Sequence, residues 1–533
     1  MEFTSRLKSV LFGSREDLQG DTTNEQRVGK VVEVSDGTFI GGFIPSIVEK
    51  QLFPYSRPEF LLYNEDETKL SADPCVRPVV CPKFPNRMPL YAGYAEVINS
   101  GKTEMNEDQA SARVLSLIQQ CHEAEEGKGV EVNGYTGVPT EEPTPIDDDN
   151  SSSPLYLTKC SINSGLRAEA SFFAILDGHA GCSAAVVSSK CLHEHVKLRL
   201  SQTLEFILYQ DREECRVMGR FHSSDSFYNI CKMNPSQTIK CDQLVIGALQ
   251  SAFVDMDNQI MEDKQVWRLP GGCAAVAVLV FLGKVYIANA GDCRAVLVCS
   301  QSTRALTTDF NPESERKRLQ TIAYNNPDFI KNKFSRLEYS RPLFKKDLNS
   351  KVLYRDWFMD GWAMKTVQPS DLKPPLISDS FKKKRLLNTI GVSRGFGDHH
   401  LLTVDDRIPI KPFLTSVPEV EVLDLRSLDS LTDKDVIIVA SDGLWDVLSN
   451  EDAALIVRSA LSTIDVDDPS RYTVAAQELV IAARGNFEEG RWMMSAGGHS
   501  SNDDITVFVI PLIHCIAPPE LKSDDDSFSF GSE

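Results

Sequence analysis

Apolar residues in this chain fall in short runs whose period changes from one run to the next. Tyr91 to Ile98 alternates loosely and stops at Asn99-Ser100-Gly101, which predicts a strand and a turn. Phe172 to Leu176 predicts a second strand, leading into Asp177-Gly178-His179-Ala180-Gly181. Apolar residues recur at helical spacing through about 182–200 and about 244–262, so two amphipathic helices are expected, joined by an insertion at about 201–243. Ala274 to Leu282, Gly283 and Val285 to Ala290 predict two buried strands joined by a tight turn, which deliver Gly291-Asp292. Val436 to Ala440 and Ile505 to Ile510 complete the strand runs.

Between these runs the pattern weakens. Residues 1–90 are mixed, carry many prolines after Pro54 and show no sustained period, so they are expected to be an extension, with regular structure starting near Tyr91. Residues 121–165 are acidic and rich in Pro, Gly and Ser, which predicts a disordered insertion. The pattern breaks up again at 305–390, and 515–533 forms an acidic tail. The regular part is thus expected to span 91–514.

Composition narrows the class. The 533 residues are 42% apolar and 25% charged, as in a globular protein, and the longest apolar run is far short of the ~20 residues that cross a membrane. No apolar leader precedes a small-residue cleavage site, and Glu2 excludes N-myristoylation. The 13 cysteines include no C-x-x-C pair and read as reduced thiols, so a cytoplasmic location is expected. A formal charge of -20 argues against nucleic-acid binding. Phe3, Leu7, Val10 and Leu11 share a helical face beside Arg6, Lys8 and Arg15, which makes weak peripheral contact with a membrane, or with a partner, an expectation for the N-terminus.

Candidate chemistry lies where the strands end. Asp177, Asp292 and Asp442 each follow a strand by one or two residues, and Asp503 immediately precedes one. Strand ends hold side chains on a rigid support, so these carboxylates can converge, and a cluster of oxygen ligands suits Mg²⁺ or Mn²⁺. Any one Asp-Gly is more often a plain turn; four acids placed this way are not.

Six ordered motifs carry a resemblance: Asn106-Glu107-Asp108, Asp177 to Gly181, Ala288 to Arg294, Ser393 to Asp398, Ser441 to Asp446 and Asp503 to Val507. In these the chain resembles the metal-dependent type 2C (PPM) serine/threonine protein phosphatases, and its flanking text is similar to their H/J/M branch. The resemblance implies an α+β fold, an α/β/β/α sandwich of two mainly antiparallel sheets flanked by helices, with the metal centre at one edge. It implies that Asp177 bridges two ions, with Glu107, Asp442, Asp503 and the Gly178 carbonyl completing the site, and that a third, weaker ion is held at Asp292 and Asp442. Asp446 lies nearby, while Asp108 and Asp504 flank the ligands. His179 is then the general acid for the departing alkoxide.

Two departures from the family are visible. The phosphate-binding arginine four residues before the metal-binding glutamate is Thr103, with Lys102 preceding it, so Lys102 is the expected source of positive charge without the bidentate fork. The usual threonine of G-x-T-A is Ala274. Neither His514-Cys515, with Leu521 where a phosphate-binding loop needs arginine, nor Gly101-Lys102-Thr103, with Glu96 in place of the first glycine, completes a competing motif. A catalytically inactive scaffold of the same fold is the alternative reading. Phosphoproteins are the expected substrates, with Rab-type small GTPases as one class suggested by the branch, and a homodimer is left open. The segment at 305–390 would be the flap beside the metals, and its 17 Lys and Arg against 10 Asp and Glu predict a docking surface whose densest run is Lys382 to Arg385.

Overall fold

The computed structural model describes residues 57–103, 105–119, 166–209, 239–267, 271–380, 383–428, 430–495 and 497–516. Contacts divide the chain into Met1–Ile44 and Pro45–Glu533, and every described residue belongs to the second unit. The N-terminal apolar face, the acidic insertion at 121–165, Lys382 and the tail beyond 516 lie outside the described residues, as does most of the expected insertion at 201–243.

In chain order the first strands are β1 (Gly93–Val97), β2 (Asp108–Ile118), β3 (Arg167–His179), β4 (Gly272–Phe281), β5 (Lys284–Ala290), β6 (Arg294–Val298) and β7 (Thr303–Ala305). The short strands β8 (Glu338–Tyr339), β9 (Lys351–Arg355), β10 (Ala363–Thr366), β11 (Ile377–Ser380) and β12 (Lys383–Leu386) follow. The last are β13 (Phe396–Gly397), β14 (Glu419–Asp424), β15 (Val436–Ala440), β16 (Asn486–Glu488), β17 (Arg491–Met493) and β18 (Ile505–Pro511). Among the described residues the α-helices are α1 (Glu65–Leu70), α2 (Ser183–Tyr209), α3 (Cys241–Trp267), α4 (Arg316–Asn325), α5 (Asp442–Trp445), α6 (Asn450–Thr463) and α7 (Arg471–Arg484).

Two sheets form the body. One runs β1-β18-β15-β6-β7; the other runs β14-β5-β4-β3-β2, with β13 added beside β4, and the pairings are antiparallel. Phe173, Ile175, Val276, Val278 and Ile287 from the second sheet share one core with Tyr94, Leu297, Ile437, Val439, Phe508 and Ile510 from the first. The opposite face of the first sheet buries Ala95, Val97, Ile438, Val507 and Val509 against Val457 and Leu461 of α6 and Leu479 and Val480 of α7. Helices α2 and α3 pack together, and α2 lies on β2 and β3. This is the expected α/β/β/α sandwich. Strands covered on both faces have no polar side to alternate with, which is why β15 reads as an unbroken apolar run.

The structure extends several expected elements. Both helices are longer than their periodic cores. The hairpin between β4 and β5 turns on Leu282 and Gly283, at φ of 51° and 72°, the pair of positive values that a two-residue type I′ turn requires. Among the described residues, regular structure begins before Tyr91, at a 3-10 turn over Glu59–Leu61 followed by α1, whose Asn64 cap and Glu67 close a capping box. Leu61 and Val80 enter the sandwich core, and Val80 bridges to Glu96. Residues 305–390 contain α4 and β8–β12, and their apolar residues, with those at 392–414, form a separate cluster around Leu319, Leu386, Ile408 and Phe413.

Candidate metal centre

Asp177 does not follow its strand, as its sequence position suggested; Asp177, Gly178 and His179 are the last residues of β3. They pair with Ala274, Cys273 and Gly272 of β4, and Asp177 also stands opposite Asp108 of β2. Asp292 lies in the turn from β5 to β6, Asp442 opens α5 just after β15, and Asp503 precedes β18. Oxygens of Asp177, Asp292 and Asp442 lie within 4.8 Å of one another. The turn that carries Asp292 past the end of β4 depends on small residues. Gly291 has φ of 151°, and a Cβ there would fall 2.3 Å from the Cβ of Ala274.

Gathering these carboxylates makes charging Asp177 and Asp292 costly. Burial, then the charges of Asp442, Asp108, Asp292 and Asp503, push the Asp177 carboxyl well above its usual range. Burial and Asp442 push Asp292 up to about 7 against the opposing pull of Lys383. A divalent cation removes this conflict by supplying the missing positive charge, so the donor set fits Mg²⁺ or Mn²⁺.

Glu107 and Asp503 flank the three converging aspartates without joining that 4.8 Å group. Glu107 Oε1 accepts a bond from Gly181 N at 2.7 Å, and its own N–H donates to Asp504 at 3.0 Å. The main chain of Gly178 donates to the Glu107 carbonyl at 3.1 Å, which locks the two segments together. Asp503 is ion-paired with Lys102, whose ammonium is pulled down by burial but raised on balance by Asp503, Asp442 and Asp177. Lys102 therefore sits at the rim of the acids with its head half exposed.

Asp108 and Asp504 are buried behind these acids. Asp108 accepts from Ser441 Oγ at 2.6 Å, and Asp504 accepts from Asn99 N at 2.7 Å, so each ties the segment before one acid to another strand. Asp446 faces the flap. Lys383 of β12 lies 3.1 Å from Asp442 and 3.0 Å from Asp446, and Lys384 pairs with Glu313 at 3.0 Å. The described part of the basic run is thus a paired strand rather than a freely solvated loop.

His179 Nε2 lies 2.7 Å from Asp398 Oδ2. Burial alone would lower the imidazole pKa, but the bond and charge of Asp398 outweigh it and raise the value. Asp398 closes the Ser393 to Asp398 motif, and only the fold shows that it faces the histidine. Arg77 had no sequence signal at all. Its buried guanidinium donates to the carbonyls of Ile98, Ser501 and Asp503 at 2.7, 2.7 and 2.8 Å, so a residue of the expected extension braces the Asp503 loop.

The family model described as Protein phosphatase 2C matches residues 148–343 and 374–486. Protein phosphatase 1H from Mus musculus is 41% identical over 488 residues, covering 87% of this chain and 92% of the relative. Protein phosphatase 1M from Mus musculus is 38% identical, covering 86% and 92%, and protein phosphatase 1J from Rattus norvegicus is 36% identical, covering 90% of each.

Proposed function

Because the chain belongs to the protein phosphatase 2C family and is a protein serine/threonine phosphatase, we propose that its turnover depends on Mg²⁺ or Mn²⁺ held by Asp177, Asp292 and Asp442. Glu107, Asp503 and the Gly178 carbonyl complete the ligand set in this reading. The observation that carries it is the convergence of three carboxylates within 4.8 Å on two sheet ends, where burial makes their joint ionisation unfavourable without cations. Cations bound there supply activation of a water nucleophile and neutralisation of charge on the phosphoryl oxygens.

The protein groups do the rest. Asp398 accepts from the His179 ring and favours its protonated form, which leaves His179 able to give a proton to a departing seryl or threonyl oxygen. Lys102 brings a positive charge to the phosphate side of the rim. Phosphoproteins are the substrates, and the positively charged flap favours acidic ones; phosphorylated Rab-type GTPases are a class to try first.

The deciding experiment is metal titration with turnover. Wild type stripped by EDTA should regain hydrolysis of p-nitrophenyl phosphate on adding Mn²⁺ or Mg²⁺, whereas Asp177→Ala should lose both metal binding and turnover. A wild-type protein with no turnover at saturating Mn²⁺ would support the inactive scaffold; an active Asp177→Ala protein would remove the ligand assignment.

A further inference from the structure

A second charged cluster lies behind His179 and contributes no metal ligand. Asp257 of α3 is 7% exposed and accepts from Gly397 N at 2.8 Å and from His399 Nε2 at 3.0 Å, while Lys411 is ion-paired to its other oxygen. Lys411 also lies 3.3 Å from His399 Nε2. These groups grip both sides of one residue, Asp398, the partner of His179.

The turn that carries Asp398 is held from two directions. On the strand side, Phe396 and Gly397 pair with Cys273 and Gly272 of β4, and Asp398 N donates to the Gly271 carbonyl at 3.1 Å. Gly272 has no side chain to block this approach; a Cβ there would stand 2.3 Å from Asp398 Oδ2. On the helix side, Phe253 packs on Phe396 at 5.1 Å between ring centroids, and Asp257 holds the amide just before Asp398 and the side chain just after it. Asp398 itself has φ of 55°, a left-handed conformation that a non-glycine residue keeps only when its surroundings impose it.

We propose that Asp257 is a positioning residue for the reaction: by fixing the turn 397–399 it aims the Asp398 carboxylate at His179 Nε2 and so holds the imidazole ready to protonate the leaving group. This rests on the leaving-group role of His179 proposed above. A carboxylate suits the task because one oxygen serves the Gly397 amide and the other a cation. Lys411 supplies that cation and keeps the buried charge paired. An alternative, that Asp257 only neutralises Lys411, makes a different prediction, since removing either partner would then have the same effect.

The test uses full-length, Mn²⁺-saturated protein. Asp257→Ala should lower kcat on a phosphothreonine peptide about tenfold, a fraction of the ~100-fold or more that a general acid can supply, and change turnover of p-nitrophenyl phosphate by less than about twofold. KM and Mn²⁺ affinity should stay at the wild-type value. Asp257→Asn, which keeps an acceptor for the Gly397 amide, should recover most of the loss, and Lys411→Met should not reproduce it. In Mg²⁺-saturated protein labelled with ¹³C-histidine, with His179 assigned from its absence in His179→Gln, the His179 ring signal should move in Asp257→Ala and return in Asp257→Asn. Asp257→Ala paired with Lys411→Met leaves no orphaned buried charge and serves if the single variant does not fold. Equal losses on the two substrates, or an unmoved His179 signal in folded protein, would overturn the proposal. If His179→Gln itself hurts both substrates equally, the general-acid role falls, and the ring signal still decides whether Asp257 positions His179.

Discussion

The sandwich and the flap meet at the same acids but are held together by different physics. Strands β4, β15 and β18 are buried along their whole length, and their apolar side chains interlock across two sheets. The flap has a smaller apolar cluster and fastens the segments around its short strands with ion pairs: Arg336 with Asp356 at 2.8 Å, Arg341 with Asp347 at 2.9 Å and Lys365 with Asp371 at 2.7 Å. Arg355 lies over Trp362 at 4.7 Å, while Phe344, Phe358 and Met364 stay more than half exposed. Core packing makes a rigid support for chemistry; partly exposed ion pairs make a surface that is cheap to rearrange.

The largest effect should come from breaking the rigid side at its acids. Asp442→Ala removes a carboxylate shared between Asp177, Asp292 and Lys383, so turnover should fall by several orders of magnitude on phosphopeptide and p-nitrophenyl phosphate alike, with Mn²⁺ affinity falling in parallel. Calorimetric titration and kinetics on both substrates check this. Retained Mn²⁺ affinity would move the metal away from Asp442.

Packing supplies the next contrast. Phe508 is fully buried and packs at steep ring angles between Tyr94 at 4.8 Å and Phe173 at 5.5 Å, so Phe508→Ala should cost about 3–5 kcal/mol and lower the main unfolding transition. Ile408 is equally buried, but in the flap cluster. Ile408→Ala should instead speed amide exchange within 316–410 while leaving exchange in β15 and β18 slow. A single cooperative transition lowered equally by both substitutions would show that flap and sandwich unfold as one unit.

These differences also explain which parts of the molecule are legible in the sequence. The sandwich was legible because continuous burial leaves continuous apolar runs, and β15 was placed to the residue, at Val436 to Ala440. The acids were legible because they stand at the ends of such runs. The flap was not, because an ion pair such as Arg316 with Glu338, 3.6 Å apart but 22 positions apart in sequence, imposes no period on the chain. Arg77 escaped for a related reason: its three bonds go to backbone carbonyls, which any sequence offers. Asp398 was visible as a motif residue, yet its task depends on where β13 pairs with β4.

His179 should show a smaller, selective effect. His179→Gln should cost about 100-fold on a phosphoserine peptide and only a few-fold on p-nitrophenyl phosphate, whose leaving group departs without a proton. The comparison is made at saturating Mn²⁺. Equal losses would make the 2.7 Å bond to Asp398 a structural tie between β3 and the 397–399 turn.

The smallest effect should arise where the flap touches the sandwich. The Lys383 ammonium sits about equally far from Asp442 and Asp446, and its pKa is raised by those acids despite burial. It therefore occupies the outer side of the acid cluster as a tethered positive charge. A partly exposed ion pair of this kind is worth about 0–1 kcal/mol, so it shifts an affinity by no more than about fivefold. Lys383→Met should accordingly tighten Mn²⁺ binding by a few-fold, because a competitor for Asp442 is gone, and isothermal titration can read that change. The same substitution removes a cation from the flap side of the acids. Replacing Lys383, Lys384 and Arg385 together with Ser should lower kcat/KM on an acidic phosphoprotein more than on p-nitrophenyl phosphate, with the difference shrinking as salt rises. If Mn²⁺ affinity is unmoved and both substrates respond alike, the Lys383 contact does not couple flap to centre, and the two regions act independently.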